Sequence, residues 1–313
     1  MKNIFKRISL NKINNRFFSS SLHLTPKQPK IHKFSCVDDN AKIHHSVEIG
    51  PFCTIGPNVE LGRDTIIKSH VVLDGYTKIK SNCKIYHHGS IGTPSQDKKY
   101  SGGKTKLTIG ENCIIRENTT INCGTEEKYG GNAEGTVIKD NVYITCGSRI
   151  GHDCVIGNDV TIISSGLSGH VKIDDMAVIG GRSSIKQHIH IGKLTMVGIQ
   201  SSLVKDTLPY SLVQGSPAYL SGVNLVGLRR NNYSNEQIKF LLAAQRYIFP
   251  NKNIDYKKTF PLPYKEKIAD RLKEALMFID VGMVDHETTK LAREMIDILI
   301  KNDKVTKPLC KYE

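Results

Sequence analysis

The most regular feature of the chain is an aliphatic residue at every sixth position. Ile43, Ile49, Ile55, Leu61, Ile67, Leu73, Ile79, Ile85 and Ile91 follow one another without a slip. Three further runs keep the step: Ile109 to Ile121, Ile138 to Ile162, and Ile173 through Ile179, Ile185, Ile191 and Val197 to Leu203. Gly follows Ile49, Ile55, Leu61 and Ile91 directly. A period of six suits neither the helical repeat of about 3.6 nor the alternation of a long strand. It suits a short strand, a turn and another short strand. Three such units make a triangular coil of roughly 18 residues with its aliphatic side chains inward, and coils stack at about 4.8 Å. The expected architecture is mainly β: a parallel β-helix of hexapeptide repeats around a continuous aliphatic core.

Two breaks interrupt the pattern. Residues 92–108 contain Gly92-Thr93-Pro94 and Tyr100-Ser101-Gly102-Gly103, and residues 124–137 contain Tyr129-Gly130-Gly131 and Gly135. Both read as loops pushed out from coil corners, where function commonly sits. After Leu203 the six-residue step ends. Ser234-Asn235-Glu236-Gln237 resembles a capping box, followed by an apolar helical face of Ile238, Leu241, Leu242, Gln245, Ile248 and Phe249. Ile268, Leu272, Ala275, Leu276 and Ile279 repeat at helical spacing, as do Leu291, Met295, Ile298 and Leu299. The organisation expected is a leader over 1–33, a β-helix over 34–224 and a C-terminal α-helical domain over 225–313.

Charge singles out the leader. Residues 1–33 hold eight Lys and Arg, and the first acid is Asp38. Ile4, Phe5, Ile8 and Phe17 could form one apolar side, and Ser19-Ser20-Ser21 follows Arg16-Phe17-Phe18. Basic, acid-free, Ser-containing and amphipathic describes a mitochondrial transit peptide, with a disordered basic tail as the alternative. The location implied is the mitochondrial matrix. Removing eight charges from the net +14 leaves +6. That is mildly basic, suited to an acidic protein partner, with no Arg-and-aromatic stripe for nucleic acid. No apolar stretch approaches the roughly 20 residues that span a bilayer. The eight Cys include no CxxC pair. Cys53, Cys83, Cys113 and Cys154 each precede a repeat Ile by two positions, as small buried side chains would.

The candidate chemistry lies at corners. His152-Asp153 pairs a base with a carboxylate that can fix its tautomer. In Ser168-Gly169-His170, Gly169 leaves its N–H open to approach by an oxyanion. His152 and His170 are one coil apart and should be neighbours.

The run Arg149-Ile150-Gly151-His152-Asp153-Cys154-Val155-Ile156-Gly157-Asn158 resembles the active-site segment of the UDP-N-acetylglucosamine O-acyltransferases, which make the first acyl transfer of lipid A biosynthesis. Gly169-His170-Val171, Asp174-Asp175, Ile179-Gly180-Gly181, Gln214-Gly215, Gly222-Val223-Asn224 and Gly227-Leu228-Arg229-Arg230 agree in order. The loop Asp97-Lys98-Lys99-Tyr100-Ser101-Gly102 matches in place and kind. The resemblance implies the left-handed sense of the β-helix, against the usual right-handed crossover. It also implies a homotrimer with sites between subunits, and substrates UDP-N-acetylglucosamine and (R)-3-hydroxyacyl-acyl carrier protein. No cofactor or metal is implied. His152 would be the general base, Asp153 would orient it, and the Gly169 N–H would hold the oxyanion. Asp97, Lys99, Arg149, His170 and Gln187 would contact sugar, phosphate or acyl groups. Asn224 and Arg230 would hold the nucleotide, and Ile199 would limit acyl length, its bulk implying a shorter chain.

Several positions depart from the bacterial pattern. Arg149 and Lys186 stand where His is common, Pro217 replaces a third His, and Asn231 replaces a second Arg. The segment Ile162–Gly169 is one residue short, which places a register slip beside Gly169. Three rivals remain: a γ-class carbonic anhydrase with three His on zinc, which Arg149 disfavours; a related acyltransferase acting on the sugar nitrogen, which carries a preceding domain; and a non-catalytic scaffold.

Overall fold

The structure is a computed structural model that describes residues 28–126, 128, 130–131, 133–249, 290–291 and 293. The leader up to residue 27 and most of the helical pattern beyond residue 249 lie outside the described residues.

The chain forms a left-handed parallel β-helix. Three sheets make the faces of a prism. The first has eleven strands, the second nine and the third eight. The chain visits them in turn, so Lys30–Ile31, Cys36–Val37 and Lys42–Ile43 open the first, second and third faces. Each strand pairs in parallel with the strand one coil on; in the early coils the partner is 18 residues away, as in Lys30↔Glu48 and Lys42↔Glu60. Most strands are two residues long, one outward and one inward. The inward residue is the repeat aliphatic. Ile55, Ile67, Leu73, Ile85 and their successors are buried almost completely.

Corners turn sharply because one residue in many of them takes the left-handed conformation, for example Phe52 at φ 60°, Asn82 at 59° and His170 at 60°. Such φ values are costly for side chains with a Cβ, and here the ladder bonds on both sides enforce them. The buried position before each strand needs a small group. Cys53, Cys83, Cys113 and Cys154 fill it, each placing its thiol near a carbonyl of the next coil: Lys68 O at 2.8 Å, Gly110 O at 3.0 Å, Lys139 O at 3.1 Å and Ser168 O at 3.2 Å. Thr65 does the same toward Lys80 O at 2.9 Å. These cysteines are core residues, as their spacing predicts; all seven cysteines of the described residues are free thiols.

The parallel stack ends in an antiparallel hairpin, Ser211–Gly215 with Ala218–Val223, whose tight turn holds Pro217. Helix α1 (Leu225–Arg230) follows, then α2 (Asn235–Ile248). The predicted capping box is present: Ser234 Oγ accepts the Gln237 N–H and the Gln237 side chain accepts the Ser234 N–H. Gln245, a polar residue on the apolar face of α2, is buried because its amide donates to Gly222 O at 3.1 Å.

Candidate active site

Both long insertions, His152-Asp153 and Gly169-His170 all leave the second face for the third. The insertions run from Ser90–Thr93 to Lys106–Ile109 and from Thr120–Asn122 to Thr136–Ile138. The two dipeptides follow strands Arg149–Ile150 and Gly166–Leu167. One edge of the prism therefore carries both insertions and both dipeptides, and beside it opens a cleft of about 530 Å³.

At its centre His152 Nδ1 lies 2.8 Å from Asp153 Oδ2. A carboxylate can only accept, so Nδ1 carries the proton and Nε2 is the free, basic nitrogen. Asp153 is itself held from the second insertion. The Thr125 N–H donates to both of its oxygens at 3.1 Å, and the Thr125 hydroxyl donates to Oδ2 at 2.7 Å. The Asp153 N–H donates to Thr136 Oγ1 at 2.8 Å. Burial pushes the Asp153 carboxyl up, but hydrogen bonds from His152 and Thr125 outweigh it and hold the carboxyl below its ordinary range. The carboxylate thus stays charged and remains the acceptor for the His152 Nδ1 proton.

Gly169 faces the free nitrogen. A Cβ built on Gly169 would collide with the His152 ring, Nε2 first. Only glycine fits, and its backbone lies against the base. No backbone acceptor takes the Gly169 N–H among the described residues. His170 sits on the next coil, its ring edge-on to His152 with centroids 4.9 Å apart, as the one-coil spacing predicts.

His152, Asp153 and His170 bring possible metal-ligand atoms within 4.8 Å of one another. Both Asp153 oxygens, however, already accept bonds from Thr125, and Oδ2 also takes the His152 proton. The carboxylate is thus committed to other bonds, and the trio has two imidazoles where a carbonic-anhydrase-like zinc site needs three.

Asp97, Arg149, His152, Gly169 and Gln187 share the cleft. Arg149 lies across Gly166, where a Cβ would meet its Nη2 at 3.6 Å. Other expected site residues are elsewhere. Lys99 is exposed on the first loop, its N–H bonded to Asp97 Oδ1 at 2.9 Å. Ile199 is 72% exposed, at the corner between the first and second faces. Asn224 caps α1: its Oδ1 accepts the Gly227 N–H and its Nδ2 donates to Leu194 O, both at 2.9 Å. Arg230 ends α1.

The register slip does not fall beside Gly169. Strand Gly166–Leu167 pairs in register with Arg149–Ile150 and with Ser184–Ile185. The short link is Ile163-Ser164-Ser165, at the first-to-second corner. Ser165 closes it, with Oγ within 2.7 Å of Ile163 O and 2.8 Å of Gly180 O while accepting the Ser183 N–H at 3.0 Å. The corner that presents Gly169 keeps its full length.

Sequence reasoning missed Thr125, Thr136 and the outward residues Thr120, Gly166 and Ser184, which floor the cleft beside Arg149.

A bacterial transferase hexapeptide family model matches residues 29–63 and 40–75, and one described as UDP N-acetylglucosamine O-acyltransferase, domain 2, matches residues 206–299. The acyl-[acyl-carrier-protein]–UDP-N-acetylglucosamine O-acyltransferase of Rhizobium rhizogenes is 36% identical over 83% of this chain and 94% of its own. The chain belongs to the acyl-[acyl-carrier-protein]–UDP-N-acetylglucosamine O-acyltransferase family. The protein of that name from Thermodesulfovibrio yellowstonii is 39% identical over 79% of this chain and 91% of its own. Among solved structures, that of the Acinetobacter baumannii protein aligns with a TM-score of 0.74 at 32% identity, covering 86% of this chain and 96% of that one. The Arabidopsis UDP-N-acetylglucosamine acyltransferase aligns with a TM-score of 0.73 at 29% identity, covering 90% and 100%. Helices α1 and α2 fall within the residues that this second-domain model matches.

Proposed function

We propose that this chain transfers an (R)-3-hydroxyacyl group from acyl carrier protein to the 3-hydroxyl of UDP-N-acetylglucosamine, the first step of a lipid A-type pathway. One observation carries the reading: a buried imidazole whose Nδ1 is committed to Asp153 and whose Nε2 lies against Gly169. The cleft volume is of the size that holds small-molecule ligands, about 300–1,000 Å³.

His152 Nε2 removes the proton of the sugar 3-hydroxyl as that oxygen attacks the thioester carbonyl. The carbonyl oxygen becomes an oxyanion and takes the Gly169 N–H. Asp153 stabilises the imidazolium. Collapse re-forms the carbonyl, breaks the C–S bond and expels the carrier's thiolate, which recovers the proton from His152. No acyl-enzyme forms. A positioned base contributes typically 10²–10⁴-fold, and an oxyanion donor about 10²–10³-fold. Asp97, His170 and Gln187 contact the sugar. Arg149 supplies the cation where bacterial relatives carry His and binds diphosphate.

Ile199, Asn224 and Arg230 complete the site only from a second copy, which supports a cyclic homotrimer. Residues 1–33 direct the chain to the mitochondrial matrix; a reporter fused to them that stayed in the cytosol would end that part of the reading.

The central test is acyl transfer by purified protein to UDP-N-acetylglucosamine from a series of hydroxyacyl carrier proteins. His152→Ala is expected to abolish transfer, by at least about a hundredfold, while the protein stays folded. Full activity in that variant would sink the mechanism.

A further inference from the structure

A third histidine stands on the same edge as the site and takes no part in the chemistry above. His152, His170 and His188 occupy successive coils at the second-to-third corner. His170 and His188 are stacked, with ring centroids 4.5 Å apart and planes 14° apart. The His188 N–H donates to Gly169 O at 3.2 Å, so the same residue pins the corner that carries Gly169. Its ring is held against His170 from a left-handed backbone, φ 63°.

The stack matters because His170 competes for a shared oxygen. His170 Nε2 lies 3.8 Å from Asp153 Oδ2, the oxygen that takes the His152 proton at 2.8 Å. A neutral His170 leaves Asp153 to His152. A protonated one would compete for that oxygen and loosen the bond that orients the His152 ring. The groups facing His170 are Asp153 and His152 from the coil before, His188 from the coil after, and Asp97 from the first loop. The two carboxylates favour a charged His170. Burial opposes it most strongly, the two histidines add to that, and the imidazole is held below its ordinary range. His188 is the outermost of the three rings, exposed itself while covering His170.

We infer that His188 is a positioning residue of the acyl-transfer site: its ring, stacked over His170, keeps His170 neutral so that Asp153 serves His152 alone. The inference rests on the reading of His152 as the base. His188 acts on His170 in two ways: its stacked ring excludes water, and as a neighbouring imidazole it opposes charge there.

Two substitutions separate these. His188→Phe keeps an aromatic ring, and Phe is compatible with the backbone, since Phe52 adopts φ 60° at another corner. His188→Asn removes the ring with a residue that tolerates positive φ. The pH dependence of kcat/KM is measured between about pH 5.5 and 8.5 for both, together with the His170 imidazole titration by NMR. His188→Asn is expected to raise the His170 titration and move the acid limb of activity upward. Each half unit would cost about threefold at a pH below the limb, with little change at pH 8. His188→Phe keeps the ring alone, and its limb should lie between those of wild type and His188→Asn. Unmoved limbs in both variants, or equal shifts in both, would overturn the inference. His152→Ala runs alongside: activity in that variant defeats the base assignment, whereas its inactivity with unmoved limbs defeats the role of His188 alone.

Discussion

The chemistry of this edge depends on how completely one carboxylate is occupied. Asp153 is buried, at 3% exposure, and its stabilisation comes from Thr125 and His152. Thr125→Val keeps the shape but deletes the hydroxyl donor. A hydrogen bond to a charged group contributes about 1.5–3 kcal/mol, and that loss is expected in folding stability at pH 7. The sign with pH follows from the direction of the shift. The Asp153 carboxyl is depressed in the folded protein, so its contribution is complete above the unfolded value of about 3.9. The contribution fades as pH falls through the lower folded value. Thr125→Val narrows the gap between the two, so wild type and variant should converge in denaturation experiments as pH falls through the lowered folded value. A stability difference independent of pH would mean that Thr125 acts by packing alone. With Asp153 less firmly held, kcat should fall by about tenfold, equivalent to roughly 1.4 kcal/mol of barrier.

At the scale of strands and corners, the repeat was legible because burial leaves it little freedom. The column that includes Ile49, Ile67, Ile85, Ile115 and Ile144 lines one inner face in unbroken register, and any residue that failed to fill it would leave a void in the prism. His152 next to Asp153, and Gly169 one coil on, were legible for the same reason. Thr125 was not. It reaches Asp153 from a Gly-rich insertion, and the six-residue step carries no information on how an insertion folds back. The cleft floor was hidden by the same interruption: Thr120 and Arg149 are outward neighbours although 29 residues apart, and Arg149 and Gly166 although 17 apart. The short segment was legible but its location was not, because a missing residue can be absorbed at any of the corners it spans. The structure puts it at Ile163-Ser164-Ser165, at the opposite end of strand Gly166–Leu167 from Gly169. One Gly inserted after Ser164 should therefore restore a four-residue corner with kcat/KM changed by less than about threefold, since both flanking strands are already in register. Loss of activity with the fold intact would show that the short corner does set the geometry at Gly169.

At the scale of the whole molecule, stacked coils contact only their neighbours, so outward residues on different edges and nearly three coils apart do not meet within one prism. His152 is on the second-to-third edge and Ile199 on the first-to-second edge, where its aliphatic side chain is largely exposed. If both act in one reaction, as proposed, Ile199 must act in the site of a neighbouring copy. Subunit mixing tests this. Ile199→Arg would block acyl binding from the neighbour while leaving its own His152 intact, and His152→Ala would do the reverse. Each variant alone is expected to be inactive. After co-refolding equal amounts, a site works when an intact His152 meets an intact Ile199 from the next subunit, which random cyclic assembly gives in about a quarter of sites. Recovery of about a quarter of wild-type activity therefore supports sites shared between subunits. Inactive mixtures of proven mixed trimers would place Ile199 and His152 in separate roles, and a monomer in solution would remove the neighbour altogether.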